Sequence, residues 1–183
     1  MRIVGGTFRG RTIIAPKGLE TRPTTDRVRE SLFNILEHGY GGCDGKRVLD
    51  LFAGTGAMGL EALSRGGSYA VLIDAATAAR GSIRENVEIL GLQGATKIFR
   101  RDAKKLGELP ANLGVPFDLV FLDPPYGKTL AEQALLSARD GGWLADGALC
   151  LVEEIKGAFV APEGFEEQDR RSFGPTEVTF LTA

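Results

Sequence analysis

Two hydrophobic periods alternate along this chain. From residue 46 onward, short apolar runs recur at residues 47–52, 69–73, 96–99, 117–122 and 148–152. Each is rich in Val, Ile, Leu or Phe and bounded by Gly, Pro or Asp, so each reads as a buried strand. Between the runs, apolar residues recur every three or four positions. That spacing predicts helices over 57–65, 75–90 and 128–139, with Ile83, Val87 and Leu90 on the buried face of the second. Gly66-Gly67 and Gly91 close the first two. Upstream, Thr24-Thr25-Asp26 supplies a helix start, and Val28, Leu32, Ile35 and Leu36 make an apolar stripe that ends at Gly39. Residues 2–4 and 11–14 are strand-like with bends at Gly5-Gly6 and Gly10, which predicts a small hairpin within 2–15. Residues 165–172 and 176–182 flank Gly174-Pro175 and predict a closing hairpin.

Strands that alternate with helices imply a parallel sheet covered on both faces. The expected fold is therefore α/β and Rossmann-like. It has seven strands, mostly parallel, with an antiparallel C-terminal edge hairpin, plus the small N-terminal hairpin and helix. The expected division is an N-terminal arm over residues 1–24 and a main domain over residues 25–183.

Composition narrows the function classes. The 183 residues suit one domain with a small appendage. No apolar run approaches membrane-spanning length, and the N-terminus carries no signal-peptide core. Cys43 and Cys150 stand far apart, outside metal-ligand spacing, and suit a reduced cytoplasmic location. His38 is the single histidine, so His-pair metal sites are excluded and no metal is expected. The net charge is −2, yet residues 1–29 hold seven basic side chains against Glu20 and Asp26. A basic arm on an acidic body suits a polyanion touched by one end of the molecule. The alternative is a solvated surface arm. Phe8 lies among Arg2, Arg9 and Arg11, where an aromatic ring either stacks on a base or fills the hairpin.

Gly54-Thr55-Gly56-Ala57-Met58-Gly59 matches G-x-G-x-x-G between a strand and a helix, and Asp74 follows 20 residues after Gly54. Alone, that is a dinucleotide fingerprint. Against it, Asp50, Asp74, Asp102 and Asp123 stand at the ends of four successive strands, so four carboxylates border one crevice. They disfavour a pyrophosphate. They suit a ligand with a sulfonium, an ammonium, hydroxyls and an adenine, which is S-adenosylmethionine. Asp50 then lies near the cationic end; Gly54 and Gly56 let the backbone approach the cofactor closely, and Phe52, Ala53 and Thr55 line the same loop. Asp74 accepts the ribose hydroxyls. Asp102 faces the adenine amine, and Ala103 offers its N–H to an adenine nitrogen. The bland reading of any one of these acids is an exposed loop carboxylate.

Asp123-Pro124-Pro125-Tyr126 ends the fourth strand. Two prolines remove two N–H donors and fix two φ angles, so the carbonyls before them point in set directions. A carboxylate, rigid carbonyls and an aromatic ring suit a planar group with an exocyclic amine. The alternative is a proline-stiffened turn.

Taken together, these residues resemble the Rossmann-like S-adenosylmethionine methyltransferases whose Asp/Asn-Pro-Pro-Tyr/Phe motif serves exocyclic amines. The resemblance narrows through Arg22-Pro23-Thr24-Thr25-Asp26-Arg27-Val28-Arg29-Glu30-Ser31-Leu32-Phe33-Asn34, Leu49 to Ala57 and Gly59 to Arg65. Those tracts, with Ile3 to Gly6 and Asn86 to Leu92, are similar to the bacterial 16S ribosomal RNA guanine-N2 methyltransferase family. The resemblance implies methyl transfer from S-adenosylmethionine to N2 of a guanine in 16S ribosomal RNA, on the small ribosomal subunit or an assembly intermediate. Asp123, Pro124, Pro125 and Tyr126 become the catalytic residues, and the base must be unpaired or flipped. Arg2, Phe8, Arg9, Arg11, Arg22 and Arg27 become RNA contacts, and Thr24 and Thr25 contacts to the methionine carboxylate. The expected form is a monomer. The rival readings are an adenine-N6 methyltransferase using the same tetrad, a nicotinamide-dependent reductase and a catalytically idle RNA-binding module.

Overall fold

The computed structural model describes residues 1–16 and 24–183. In chain order the elements are α1 (Asp26–Gly39), β1 (Arg47–Leu51), α2 (Ala57–Ser64), β2 (Tyr69–Ile73), α3 (Thr77–Leu90), β3 (Thr96–Phe99), β4 (Phe117–Leu122), α4 (Leu130–Asp140), β5 (Leu144–Ile155), β6 (Glu166–Phe173) and β7 (Thr176–Thr182). The seven strands form one sheet in the order β3-β2-β1-β4-β5-β7-β6. Strands β1 to β5 pair in parallel, while β7 runs antiparallel to both β5 and β6. The strand order reverses between β1 and β4, which places the switch point where the acid-bearing strand ends were expected to meet.

Alternation along the strands divides the interior into two layers. Val48, Ala70, Leu72, Leu119 and Phe121 face one side, packed under Leu32, Phe33 and Leu36 of α1, Leu60 and Leu63 of α2, and Ile83, Val87 and Leu90 of α3. Leu49, Leu51, Val71, Ile73, Val120 and Leu122 face the other side, beneath Ala131, Ala134, Leu135 and Ala138 of α4. Trp143 fills that second layer, stacked on Phe117 with its Nε1 donating to the Gly107 carbonyl at 2.8 Å.

The predicted elements hold with two differences. The fifth strand begins at Leu144 and runs to Ile155, past the apolar run that announced it. Its polar ends are held by pairing with β4 and β7 rather than by hydrophobic pattern. The N-terminal hairpin shrinks to one antiparallel bridge, Arg2 to Thr12. Its arms are also joined by Ile3 N–H to the Arg11 carbonyl at 2.9 Å, Gly10 N–H to the Ile3 carbonyl at 2.8 Å and Ile13 N–H to the Met1 carbonyl at 3.0 Å, while its turn reaches the end of α2. Thr7 N–H donates to the Ser64 carbonyl at 2.8 Å, Phe8 N–H to Ser64 Oγ at 2.9 Å, and Ser64 Oγ to the Gly5 carbonyl at 2.6 Å. Ile3 and Ile13 sit in the first hydrophobic layer, so the start of the chain is packed into the body.

Candidate active site

The glycine loop is built by Asp50 and Asp74. Asp50 lies on the face of β1 that meets α2, fully buried, and its Oδ2 accepts the Gly59 N–H at 3.0 Å. A Cβ at Gly59 would fall 2.4 Å from Leu72 Cδ2, so only glycine lets α2 lie this close to the sheet. Burial pushes the Asp50 carboxyl up to about 8, and the Asp74 charge adds to the rise against the Gly59 hydrogen bond. Asp74 spends one oxygen on Gly54 N–H and the other on Ala76 N–H, each at 2.9 Å. A carboxylate offers about four lone-pair directions, so two acceptor positions remain for a hydroxyl-bearing ligand.

Between the two acids the backbone bends sharply. Phe52 has φ +60°, a left-handed conformation that a bulky residue rarely adopts, and Gly54 and Gly56 follow at +59° and +80°. Ala53 N–H returns to the Ile73 carbonyl at 2.9 Å. Thr55 is buried and its Oγ1 accepts the Ala57 N–H at 3.1 Å. A Cβ at Gly54 would meet nothing within 4 Å, so the loop crest faces open space.

Asp102 follows β3 and is exposed, with Oδ1 accepting the Lys104 N–H at 2.9 Å and Lys104 Nζ 3.8 Å from Oδ2. Ala103 is buried in the second hydrophobic layer. Thr25 is exposed and spends its hydroxyl on the N-cap of α1, accepting from Val28 N–H at 3.2 Å.

Asp123 lies half-buried just past β4, with Pro124 buried and Pro125 exposed. Asp123 Oδ2 is 3.4 Å from Thr24 Oγ1, which is 3.1 Å from Glu153 Oε2. Tyr126 OH donates to Glu153 Oε1 at 3.1 Å, and Gly127 N–H to Glu154 Oε1 at 3.0 Å. Burial, then the neighbouring Glu153 charge, raises the Asp123 carboxyl well above the usual carboxylate range. Glu153 and Glu154 were not singled out from sequence. A signal existed: they directly follow the apolar run of the fifth strand, the position that marked the other four acids.

From sequence, Arg29 reads as a side chain closing over the crevice or as part of a solvated helix face; the structure buries it instead. It is fully buried, and its guanidinium donates to the Thr24 carbonyl at 3.3 Å, to Asp26 at 2.9 Å and to the Arg2 carbonyl, with Glu61 3.6 Å from Nε. Glu61 also accepts the Val4 N–H at 3.0 Å and pairs with Arg65 at 3.0 Å. One buried network thus ties the N-terminal segment and Thr24 to α2.

Of the expected RNA contacts, Arg2, Arg9, Arg11 and Arg27 are exposed. Arg11 donates to the Ile89 carbonyl at 2.8 Å, and Phe8 is half-buried against the first hydrophobic layer. Arg22 lies outside the described residues. Among the described residues, no group of three His, Cys, Asp or Glu side chains is placed to hold a metal ion.

A family model described as conserved hypothetical protein 95 matches residues 1–182. The chain belongs to that family. It is 41% identical over 153 residues to ribosomal RNA small subunit methyltransferase D of Escherichia coli strain K12, covering 84% of this chain and 74% of that one. The protein of the same name from Haemophilus influenzae is 33% identical over 167 residues, covering 90% and 84%. The solved structure of yhhF from Escherichia coli superposes with a TM-score of 0.82 at 34% identity, covering 100% of this chain and 97% of that one.

Proposed function

We propose that this family member transfers a methyl group from S-adenosylmethionine to the exocyclic N2 of a guanine in 16S ribosomal RNA, on the small subunit or an assembly intermediate. It acts as a cytoplasmic monomer. The observation that carries the reading is the position of Asp123-Pro124-Pro125-Tyr126 at the switch point, beside an acid-lined crevice, in a chain 41% identical to a ribosomal RNA methyltransferase. No helix of the described residues is long and apolar enough to cross a membrane.

The donor set fits the cofactor. Carboxylates from β1, β2 and β3 and an open glycine crest suit a cation with hydroxyls and an amine, and oppose a pyrophosphate. Asp74 holds the ribose, Asp102 and Ala103 the adenine, and Asp50 with Phe52 to Gly56 the methionine end. When bound, the cofactor supplies an electrophilic methyl group.

The rest falls to the protein's own residues. The N2 lone pair of guanine is delocalised into the ring and is a poor nucleophile. The Asp123 carboxyl and the Pro124 carbonyl accept the two amine hydrogens, which draws the nitrogen toward tetrahedral geometry. Holding it in line with the methyl group removes on the order of 7–11 kcal/mol of barrier. Tyr126 stacks on the base, which contributes about 1–3 kcal/mol. The arm over residues 1–24, with Arg2, Arg9, Arg11 and Arg22, and Arg27 beyond it, takes the RNA backbone.

Labelled S-adenosylmethionine, offered with small-subunit RNA or particles from cells lacking this gene, tests the reading. The expected product after digestion is N2-methylguanosine. N6-methyladenosine, or no transfer to either substrate, would overturn it. Asp123→Ala is expected to keep cofactor affinity and lose turnover by about 10²–10⁴-fold.

A further inference from the structure

Thr24 Oγ1 stands between two carboxyl groups, 3.4 Å from Asp123 Oδ2 and 3.1 Å from Glu153 Oε2. A hydroxyl carries one hydrogen and donates it once. Glu153 is the better acceptor. It already receives the Tyr126 hydroxyl at 3.1 Å, and Thr176 Oγ1 lies 3.4 Å from it, although that hydroxyl also reaches the Phe173 carbonyl at 3.2 Å. Among the described residues no Arg, Lys or His forms an ion pair with Glu153. Among the described residues, the groups around this pair are Tyr126 and Thr176 on Glu153, Glu154 beside it, and Asp50 acting on Asp123. The hydrogen of Thr24 therefore goes to Glu153. The second contact is completed only if Asp123 holds a proton on Oδ2 and donates it to Thr24. Burial and the Glu153 and Asp50 charges favour a proton on Asp123, while the Thr24 contact by itself acts the other way.

We propose that Asp123, Thr24 and Glu153 form a proton relay, with Glu153 as the final acceptor of the proton released by methyl transfer. The proposal rests on the methyltransferase reading above. The N2 nitrogen forms its bond to the methyl carbon as the sulfur–methyl bond breaks, and that electron pair stays on sulfur. The nitrogen then carries a positive charge and an extra proton. Its N–H bond breaks toward Asp123 Oδ1. The proton on Asp123 Oδ2 passes to Thr24 Oγ1, and the hydrogen of Thr24 passes to Glu153 Oε2. The methylated base becomes neutral, Asp123 stays neutral, and the negative charge of Glu153 is discharged. Glu153 is half-buried and returns the proton to water. A neutral Asp123 can still accept an amine hydrogen at Oδ1, so it orients the base and conducts the proton without being its destination.

Two measurements test the relay. The first is a ¹³C carboxyl NMR titration of the protein without substrate. Glu153→Gln should move the Asp123 titration down toward the ordinary carboxylate range, and Thr24→Val should also displace it. The second is single-turnover methyl transfer to small-subunit RNA across pH. Glu153→Gln and Thr24→Val should each slow it by on the order of 10²-fold and change its pH profile, with cofactor affinity unchanged, while Thr24→Ser retains it. An Asp123 titration indifferent to Glu153→Gln, or a Thr24→Val variant as fast as wild type with the same pH profile, overturns the relay alone. A wild-type protein that methylates no guanine N2 overturns the reading beneath it, and the relay falls with it.

Discussion

Asn86 pairs with both backbone groups of Ile14. Its Oδ1 accepts the Ile14 N–H at 2.6 Å, and its Nδ2 donates to the Ile14 carbonyl at 2.8 Å. The other Nδ2 hydrogen goes to the Thr55 carbonyl at 2.9 Å. One fully buried side chain on α3 thus joins the N-terminal segment to the glycine loop.

Removing that amide leaves three backbone groups without their partner. Asn86→Ala is expected to destabilise the protein by about 1–3 kcal/mol, because the buried Thr55 carbonyl loses its partner and the Ile14 backbone loses its anchor on α3. Urea unfolding measures it, and a midpoint equal to wild type would refute the role. S-adenosylmethionine affinity should fall too, since Thr55 is one of the expected cofactor-loop residues.

Gly6 and Gly10 both have positive φ, +76° and +84°, but differ in surroundings. A Cβ at Gly6 would stand 1.9 Å from the Ser64 carbonyl oxygen, whereas one at Gly10 meets nothing within 4 Å. Gly10→Ala should cost roughly 1–2 kcal/mol of backbone strain. Gly6→Ala bears the same strain plus a backbone clash, so it should lift the N-terminal segment from α2. The expected result is a larger stability loss and weaker RNA binding for Gly6→Ala than for Gly10→Ala. Equal losses in both would remove the steric argument.

Asp50 gives stability a pH dependence of definite sign. Its carboxyl titrates at about 8 when folded, against an ordinary value of 3.8. The folded state binds the extra proton, so this contribution is complete below about 3.8 and is lost as pH rises toward 8. Within that window the slope approaches about 1.4 kcal/mol per pH unit for this one group. Asp123 acts in the same sense. Asp50→Asn should flatten the fall in urea midpoint between mildly acidic and neutral pH; a wild-type slope in the variant would contradict it. A cation seated beside Asp50 should also expel its proton, so binding enthalpy should vary with the ionisation enthalpy of the buffer.

Arg9 and Arg27 are exposed, and neither is in an ion pair among the described residues. If they neutralise phosphates, each substitution by Ala should lower the slope of log affinity against log salt by about 0.7–0.9. Cofactor affinity should not change. An unaltered slope would assign these side chains to the solvated surface.

Much of the fold was legible because hydrophobic period is a local property. The runs at 47–52 and 117–122 announce strands wherever they lie, and an acid at the end of each of the first four strands marks the same edge of a parallel sheet. The first strand's Asp50 and the third glycine of the loop even fall into direct contact, as helix-to-strand packing requires. The N-terminal hairpin is legible too: its arms keep their cross-bonds, and only its turn, Gly5 to Phe8, needs the distant Ser64 for its backbone groups.

Period and composition therefore determined the element order, the α/β class, the acidic strand ends and the rigid Asp123-Pro124-Pro125-Tyr126 turn. The tertiary structure alone decided which of these groups share protons. Thr24 and Glu153 are 129 positions apart, and Thr24 and Asp123 are 99 apart. No local pattern encodes such a meeting. It depends on β5 lying beside β4, and on a buried Arg29 that holds the backbone of Thr24 in place.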